Sequence, residues 1–133
     1  MSLYTVNDPG PIQRILLIQT RRLGDVLCAT PVCTALRHQF PYAHLAIMVR
    51  AGLREILDGN PDVNEVLTYD RDAVNRSPFK LLGLIRDLRG CRFDWALSIH
   101  ASDALAYAVC RAGIPRRTWV WWDGGWPAET RQT

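Results

Sequence analysis

Apolar residues along this chain fall into short unbroken runs, separated by longer stretches in which they return every three or four positions. Arg14 to Thr20 (RILLIQT) is one such run, with β-branched residues, Pro11 before it and the polar loop Arg21-Arg22-Leu23-Gly24-Asp25 after it. It reads as a strand buried on both faces, the kind that parallel sheets contain. Beyond the loop Val26, Ala29, Val32, Cys33, Leu36 and Phe40 recur at helical steps, so a helix runs to about Gln39. Two starts fit it. Asp25 is the N-cap and Pro31 a kink, or Thr30 is the N-cap and Pro31 lies in the first turn.

The alternation then repeats. His44 to Val49 and Glu65 to Tyr69 are strand-like, with a short helix at Leu53 to Leu57 stopped by Gly59-Asn60-Pro61. Pro78 to Arg89 is a second long helix, with Leu81, Leu82, Leu84, Ile85 and Leu88 on its apolar side and Gly90 as its terminator. Trp95 to Ile99 is a fourth strand. A helix from Ser102 to Ala112 follows, capped by Ser102 or Asp103, and Gly113-Ile114-Pro115 leads to a fifth strand at Arg117 to Val120. Strands alternating with helices predict an α/β domain with a doubly wound, Rossmann-like parallel sheet. Ligands of such sheets bind beyond the carboxyl ends of the strands. Those ends and their loops hold Thr20, Arg21, Arg22, Gly24, Asp25, Arg50, Asp70, His100 and Ser102.

Composition narrows the class. The chain has 133 residues, 48% hydrophobic and 22% charged, which suits one ordinary domain and excludes disorder for most of it. No run approaches the roughly 20 apolar residues of a membrane-spanning helix. Met1 to Pro11 lack the basic start and apolar stretch of a signal peptide, so a cytoplasmic protein is expected. Net charge is +3, and Lys80 is the single lysine among sixteen basic residues. The arginines are scattered and often adjoin Asp or Glu, which fits a GC-rich coding sequence that favours Arg codons better than a nucleic-acid-binding stripe. Cys28, Cys33, Cys91 and Cys110 form no CxxC pair and lie at no zinc-finger spacing from histidine. Reduced, semi-buried thiols and no metal site are expected.

The loop after the first strand matches neither GxxxxGK[ST] nor GxGxxG, since Gly24 is its single glycine. It keeps a glycine that permits a tight turn and a carboxylate beside a helix start. Asp25 is either a structural cap or a general base taking a proton from a substrate hydroxyl. Arg21 and Arg22 either clamp an anionic group or are solvated loop residues. His100 contacts substrate or is a satisfied structural histidine, and Arg116-Arg117 reads as a solvated turn. The run Trp-Val-Trp-Trp-Asp-Gly-Gly-Trp from Trp119 to Trp126 breaks the α/β pattern, and a polar end follows to Thr133. A shifted reading frame in G-rich DNA is the preferred account of it; a Trp-rich binding patch is the other.

Taken in order, Arg14 to Arg37, Phe40-Pro41-Tyr42-Ala43, Gly59-Asn60-Pro61-Asp62-Val63-Asn64-Glu65-Val66, Arg92-Phe93-Asp94-Trp95-Ala96-Leu97 and Ala112 to Thr118 resemble glycosyltransferase family 9, the heptosyltransferases of lipopolysaccharide core assembly. The resemblance covers about residues 13–118. It implies the N-terminal, acceptor-side half of a GT-B architecture, spanning residues 1–118. Residues 119–133 are then an irregular tail, and the C-terminal donor-binding domain is absent. It also implies inverting transfer of a heptose from ADP-heptose to the lipopolysaccharide inner core, with no essential metal and no cofactor. The donor would bind the missing domain. Asp25 corresponds to the proposed base, and Arg21, Arg22, Gly24, His100 and Ser102 lie where the acceptor would be held. The implied partners are a lipopolysaccharide-core or lipid A-linked acceptor and a separately encoded C-terminal domain, with no nucleic acid. The implied location is the cytoplasm or the inner membrane face, and the isolated chain is expected to be inactive. The competing reading is a non-enzymatic Rossmann-like module that binds a small anionic ligand or a partner protein.

Overall fold

Ile15, Leu16, Leu17 and Ile18 are all buried, and this unbroken run makes their strand the middle of the sheet. The computed structural model describes residues 12–100 and 103–119. The strands are β1 (Arg14–Gln19), β2 (His44–Arg50), β3 (Glu65–Tyr69), β4 (Trp95–His100) and β5 (Arg116–Trp119). All are parallel, in the order β3-β2-β1-β4-β5. The helices are α1 (Leu23–Gln39), α2 (Arg71–Arg76), α3 (Pro78–Cys91) and α4 (Asp103–Arg111), with a 3-10 turn at Arg54–Leu57.

Alternate residues of β1 serve opposite faces. Ile15 and Leu17 pack with Val26, Cys33 and Leu36 of α1 and with Leu57, whereas Leu16 and Ile18 pack with Leu88 of α3 and Leu105, Ala108 and Val109 of α4. The chain moves one way across the sheet from β1 to β3 and the other way from β3 through β4 to β5. A constant crossover hand then puts the helices of the two legs on opposite faces. The doubly wound, Rossmann-like sheet expected from the sequence is the one observed.

Several local expectations are corrected. α1 begins at Leu23 with Arg22 in the N-cap position, so neither Asp25 nor Thr30 caps it. Pro31 lies inside the helix and brings no amide hydrogen to Leu27 O; the Thr30 hydroxyl donates to that carbonyl instead, at 2.7 Å. Thr30-Pro31 is thus a self-mending pair within one helix. α3 runs through Gly90 to Cys91, and the left-handed residue that ends it is Arg92, at φ +55°. Arg14 Nε fills the Cys91 carbonyl at 2.7 Å, while the Asp94 carboxylate accepts the amides of Gln13 and Arg14. These bonds bring the chain straight from α3 into register beside β1. α2 was not anticipated; it is short and aperiodic, and its signal is the Asp70 carboxylate accepting the Ala73 amide as N-cap. Arg116 and Arg117 start β5 and are not a turn, and Trp119, read as the first residue of the tail, pairs with Ser98. Val120 and the rest of the Trp-rich run lie outside the described residues.

At the amino edge of the sheet one guanidinium ties the end of α1 to the entries of β2 and β3. Arg37 of α1 donates to Asp62 O (3.1 and 3.2 Å), Ala43 O (2.7 Å), Pro41 O (3.1 Å) and Asn64 Oδ1. Asn64 Oδ1 also takes the Leu45 amide at 2.9 Å, and Thr34 Oγ1 donates to Asp62 Oδ2 at 2.9 Å. The Phe40–Ala43 and Asn60–Asn64 motifs that carried part of the resemblance therefore hold structure, on the edge opposite the strand ends that would bind ligand.

Candidate functional site

The sheet's direction of winding reverses at β1 and β4. From β1 the chain leaves to α1 on one face, and from β4 to α4 on the other, so the two carboxyl ends flank a crevice. The pairing shifts at that point: Ile18 is opposite Ser98 but Gln19 is opposite His100, so Ile99 is skipped. Thr20 closes the junction, its amide donating to His100 O at 3.1 Å. The Thr20 hydroxyl lies 3.2 Å from the same carbonyl and 3.3 Å from His100 Nδ1. With the hydroxyl hydrogen directed to the carbonyl, Nδ1–H donates to Oγ1, and Nε2 keeps its lone pair. Gln19, itself buried, accepts the Arg21 amide on Oε1 at 3.2 Å and turns the chain out of the sheet.

Asp25 is the third residue of α1, so its carboxylate lies in the first turn, where the helix dipole favours a negative charge. Its side chain is 47% exposed and sits 3.7 Å from Arg21 Nε. Such a half-solvated i,i+4 pair adds little to stability. Asp25 therefore caps no helix, and its half-exposed carboxylate stands open to solvent at the carboxyl edge.

His100 registers what surrounds it. Burial, and then the positive charges of Arg21 and Arg71, hold its pKa below the ordinary 6.5, opposed by Asp25. The imidazole is accordingly neutral near pH 7. Arg71 was not among the candidates read from the sequence. It opens α2 directly after β3, and its approach to His100 depends on the strand order; its one linear sign is an arginine just past a strand end.

Arg22 is exposed at the N-cap position, and Gly24 lies within the first helical turn. Gly24 makes no tight turn: its φ is not positive, and a Cβ there would meet open space. Asp70 caps α2, and Arg50 ends β2 on the surface. Ser102 lies outside the described residues. The cysteines are unbridged; Cys28 and Cys110 are exposed rather than semi-buried, and burial pushes the Cys33 thiol up to about 11. Among the described residues no three His, Cys, Asp or Glu side chains gather as metal ligands, and no helix is long and apolar enough to cross a membrane.

The depressed pKa of His100 has a measurable consequence. The unfolded chain takes up a proton on this imidazole near pH 6.5, and the folded chain does so only at lower pH. Stability at this group is therefore complete above pH 6.5 and declines as pH falls through 6.5 toward the folded value. In an NMR titration of the imidazole, Arg71→Gln is expected to raise the His100 pKa and Asp25→Asn to lower it. Movement in neither variant would mean that these charges do not share one crevice.

An open α/β domain with a carboxylate, two arginines and a neutral histidine around its switch point has the makings of a site for an anionic, hydroxyl-bearing ligand. No protein-family model matches the chain. It is 30% identical to lipopolysaccharide heptosyltransferase 2 of Escherichia coli strain K12 over 120 residues, which is 89% of this chain and 32% of that protein. Among solved structures, an E. coli ADP-heptose lipopolysaccharide heptosyltransferase II superposes with TM-score 0.68 at 28% identity, over 80% of this chain and 30% of that one. A glycosyltransferase family 9 protein from Veillonella parvula has the same fold, with TM-score 0.72 at 23% identity over 80% of this chain and 31% of its own. The resemblance to family 9 read from the sequence is thus borne out: heptosyltransferases are what this chain is similar to in sequence and in fold. It spans about a third of the length of the curated relative it matches.

Proposed function

We propose that this chain is the acceptor-side half of a family 9 glycosyltransferase of GT-B architecture, with its donor-binding half outside these 133 residues. The observation that carries the reading is Asp25: a half-exposed carboxylate, not used as a cap, in the first turn of α1 beside Arg21 at the β1/β4 crevice. In the proposed reaction Asp25 takes the proton of an acceptor hydroxyl as its oxygen attacks the anomeric carbon of ADP-heptose. ADP departs from the opposite face, so the configuration inverts. Arg21, Arg22 and Arg71 pair with phosphates of a lipopolysaccharide inner-core acceptor, and arginine forks match such oxygens bidentately. His100, kept neutral, accepts a sugar hydroxyl on Nε2. The enzyme would act on the cytoplasmic side of the inner membrane, where a lipid-linked acceptor is presented.

Half a cleft does not orient two substrates. The purified 133-residue polypeptide is expected to transfer no heptose, because the group that positions the donor is not part of it. Joining residues 1–119 to the part of heptosyltransferase 2 that this chain does not cover is expected to restore transfer. A folded joined protein without transfer, or transfer by the short polypeptide alone, would overturn the reading. Gly24 offers a second check in the joined protein. Gly24→Ala should raise stability by about 0.5–1 kcal/mol, since alanine is the better helix former. The added methyl should at the same time raise the acceptor KM, because it fills open space beside Asp25.

A further inference from the structure

α3 carries an apolar face that no other described element covers. Phe79 is 81% exposed and Leu82 61%, although both lie in the first turns of a fourteen-residue helix. Three-residue spacing stacks them on one stripe, with Arg86 a further turn along and Pro78 at the helix start. The inward stripe of the same helix, Leu81, Leu84, Ile85 and Leu88, already packs on the sheet, so Phe79 and Leu82 are surplus to the core. Cations flank them: Arg76 just before the helix, Lys80 beside Phe79 (the one lysine of the chain) and Arg86. Neither Lys80 nor Arg86 pairs with a carboxylate among the described residues. An exposed aromatic and an exposed leucine framed by basic side chains are the components of an interfacial helix on an anionic lipid surface.

Position adds to composition. β3 ends at Tyr69, α2 crosses the carboxyl edge of the sheet, and α3 returns antiparallel to the strands, so its first turn stands on the edge that holds Asp25 and His100. Arg71 ties the two places together, since it opens α2 and its charge reaches His100. We infer that the Phe79–Leu82 stripe, with Arg76, Lys80 and Arg86, seats this domain on an anionic bilayer, with the crevice facing the lipid headgroups. Phe79 and Leu82 insert among the acyl-chain boundary, and the three cations meet lipid phosphates. The inference deepens the acceptor reading and rests on it only for what the neighbouring crevice does.

The test is co-sedimentation of the 133-residue chain with vesicles of phosphatidylcholine alone and of phosphatidylcholine with 30% phosphatidylglycerol. Neither contains lipopolysaccharide, so the outcome is independent of sugar transfer. Binding to the anionic vesicles is expected to exceed binding to the neutral ones at least tenfold, since each cation near such a surface contributes about fivefold, and to weaken in high salt. Phe79→Ser with Leu82→Ser, and separately Lys80→Glu with Arg86→Glu, should each cut anionic binding at least tenfold while circular dichroism stays unchanged. Equal binding by these folded variants, or no preference for anionic vesicles, would overturn the proposal. So would concentration-dependent dimerisation in light scattering that the serine pair abolishes, since a second copy would then be the occupant of the stripe.

Discussion

Asp25→Asn, made in residues 1–119 joined to the uncovered part of heptosyltransferase 2, is expected to lower kcat by about two to four orders of magnitude. Asparagine keeps the size and shape of the side chain and can still accept a hydrogen bond, but it has no basic oxygen to take a proton. The structural cost should be small. Asp25 caps nothing, and its pair with Arg21, 3.7 Å apart and half solvated, is worth little. Its favourable placement in the first turn of α1 is worth about 0.3–1 kcal/mol. Initial rates of ADP release, read beside a urea melt, separate the two roles. A fall in kcat with unchanged unfolding identifies the base. A near wild-type rate would reduce Asp25 to an ordinary first-turn acid and leave the crevice without a proton acceptor of this kind.

Arg37→Met is expected to cost about 3 kcal/mol of stability, judged from the roughly 1.5–3 kcal/mol associated with hydrogen bonds to charged groups and from the carbonyls left unpaired. The guanidinium meets Pro41, Ala43 and Asp62 carbonyls and the Asn64 side chain, contacts that tie the end of α1 to the entries of β2 and β3. Methionine retains the stem and fills the same channel, but donates nothing. Arg37→Lys should recover less than half of the loss, because one ammonium cannot reach the partners before β2 and those before β3 at once. Urea unfolding of the full chain reads both values. A loss below about 1 kcal/mol for Arg37→Met would mean that solvent replaces these bonds freely. Because this edge lies opposite the crevice, the acceptor KM of a folded Arg37→Lys joined protein should not change.

Much of this architecture was legible in the linear pattern because burial and periodicity are local signals. β1 and β2 are unbroken apolar runs, and a run of that kind belongs at the middle of a parallel sheet. Thr20, Asp25 and His100 could be assigned to the carboxyl edge because each follows a strand. What failed turns on contacts between distant parts of the chain. Pro31 suggested a helix start, but the adjacent Thr30 hydroxyl supplies the bond that proline cannot, and the helix passes through. Gly90 suggested a helix end, but Arg14 fills the Cys91 carbonyl and allows the turn to fall at Arg92. Arg71 escaped notice because its relation to His100 exists only once β3, β2, β1 and β4 are set side by side.

The most direct test of the central claim, that a phosphorylated acceptor sits at the β1/β4 crevice, is amide chemical-shift mapping. The isotope-labelled 133-residue chain would be titrated with a phosphorylated inner-core oligosaccharide. Shifts gathered at Thr20 to Asp25, Arg71 and His100, and lost in Arg21→Gln with Arg71→Gln, are the predicted result. Shifts confined to the groove between the ends of α3 and α4, at Arg89, Arg92 and Gly113, would contradict it.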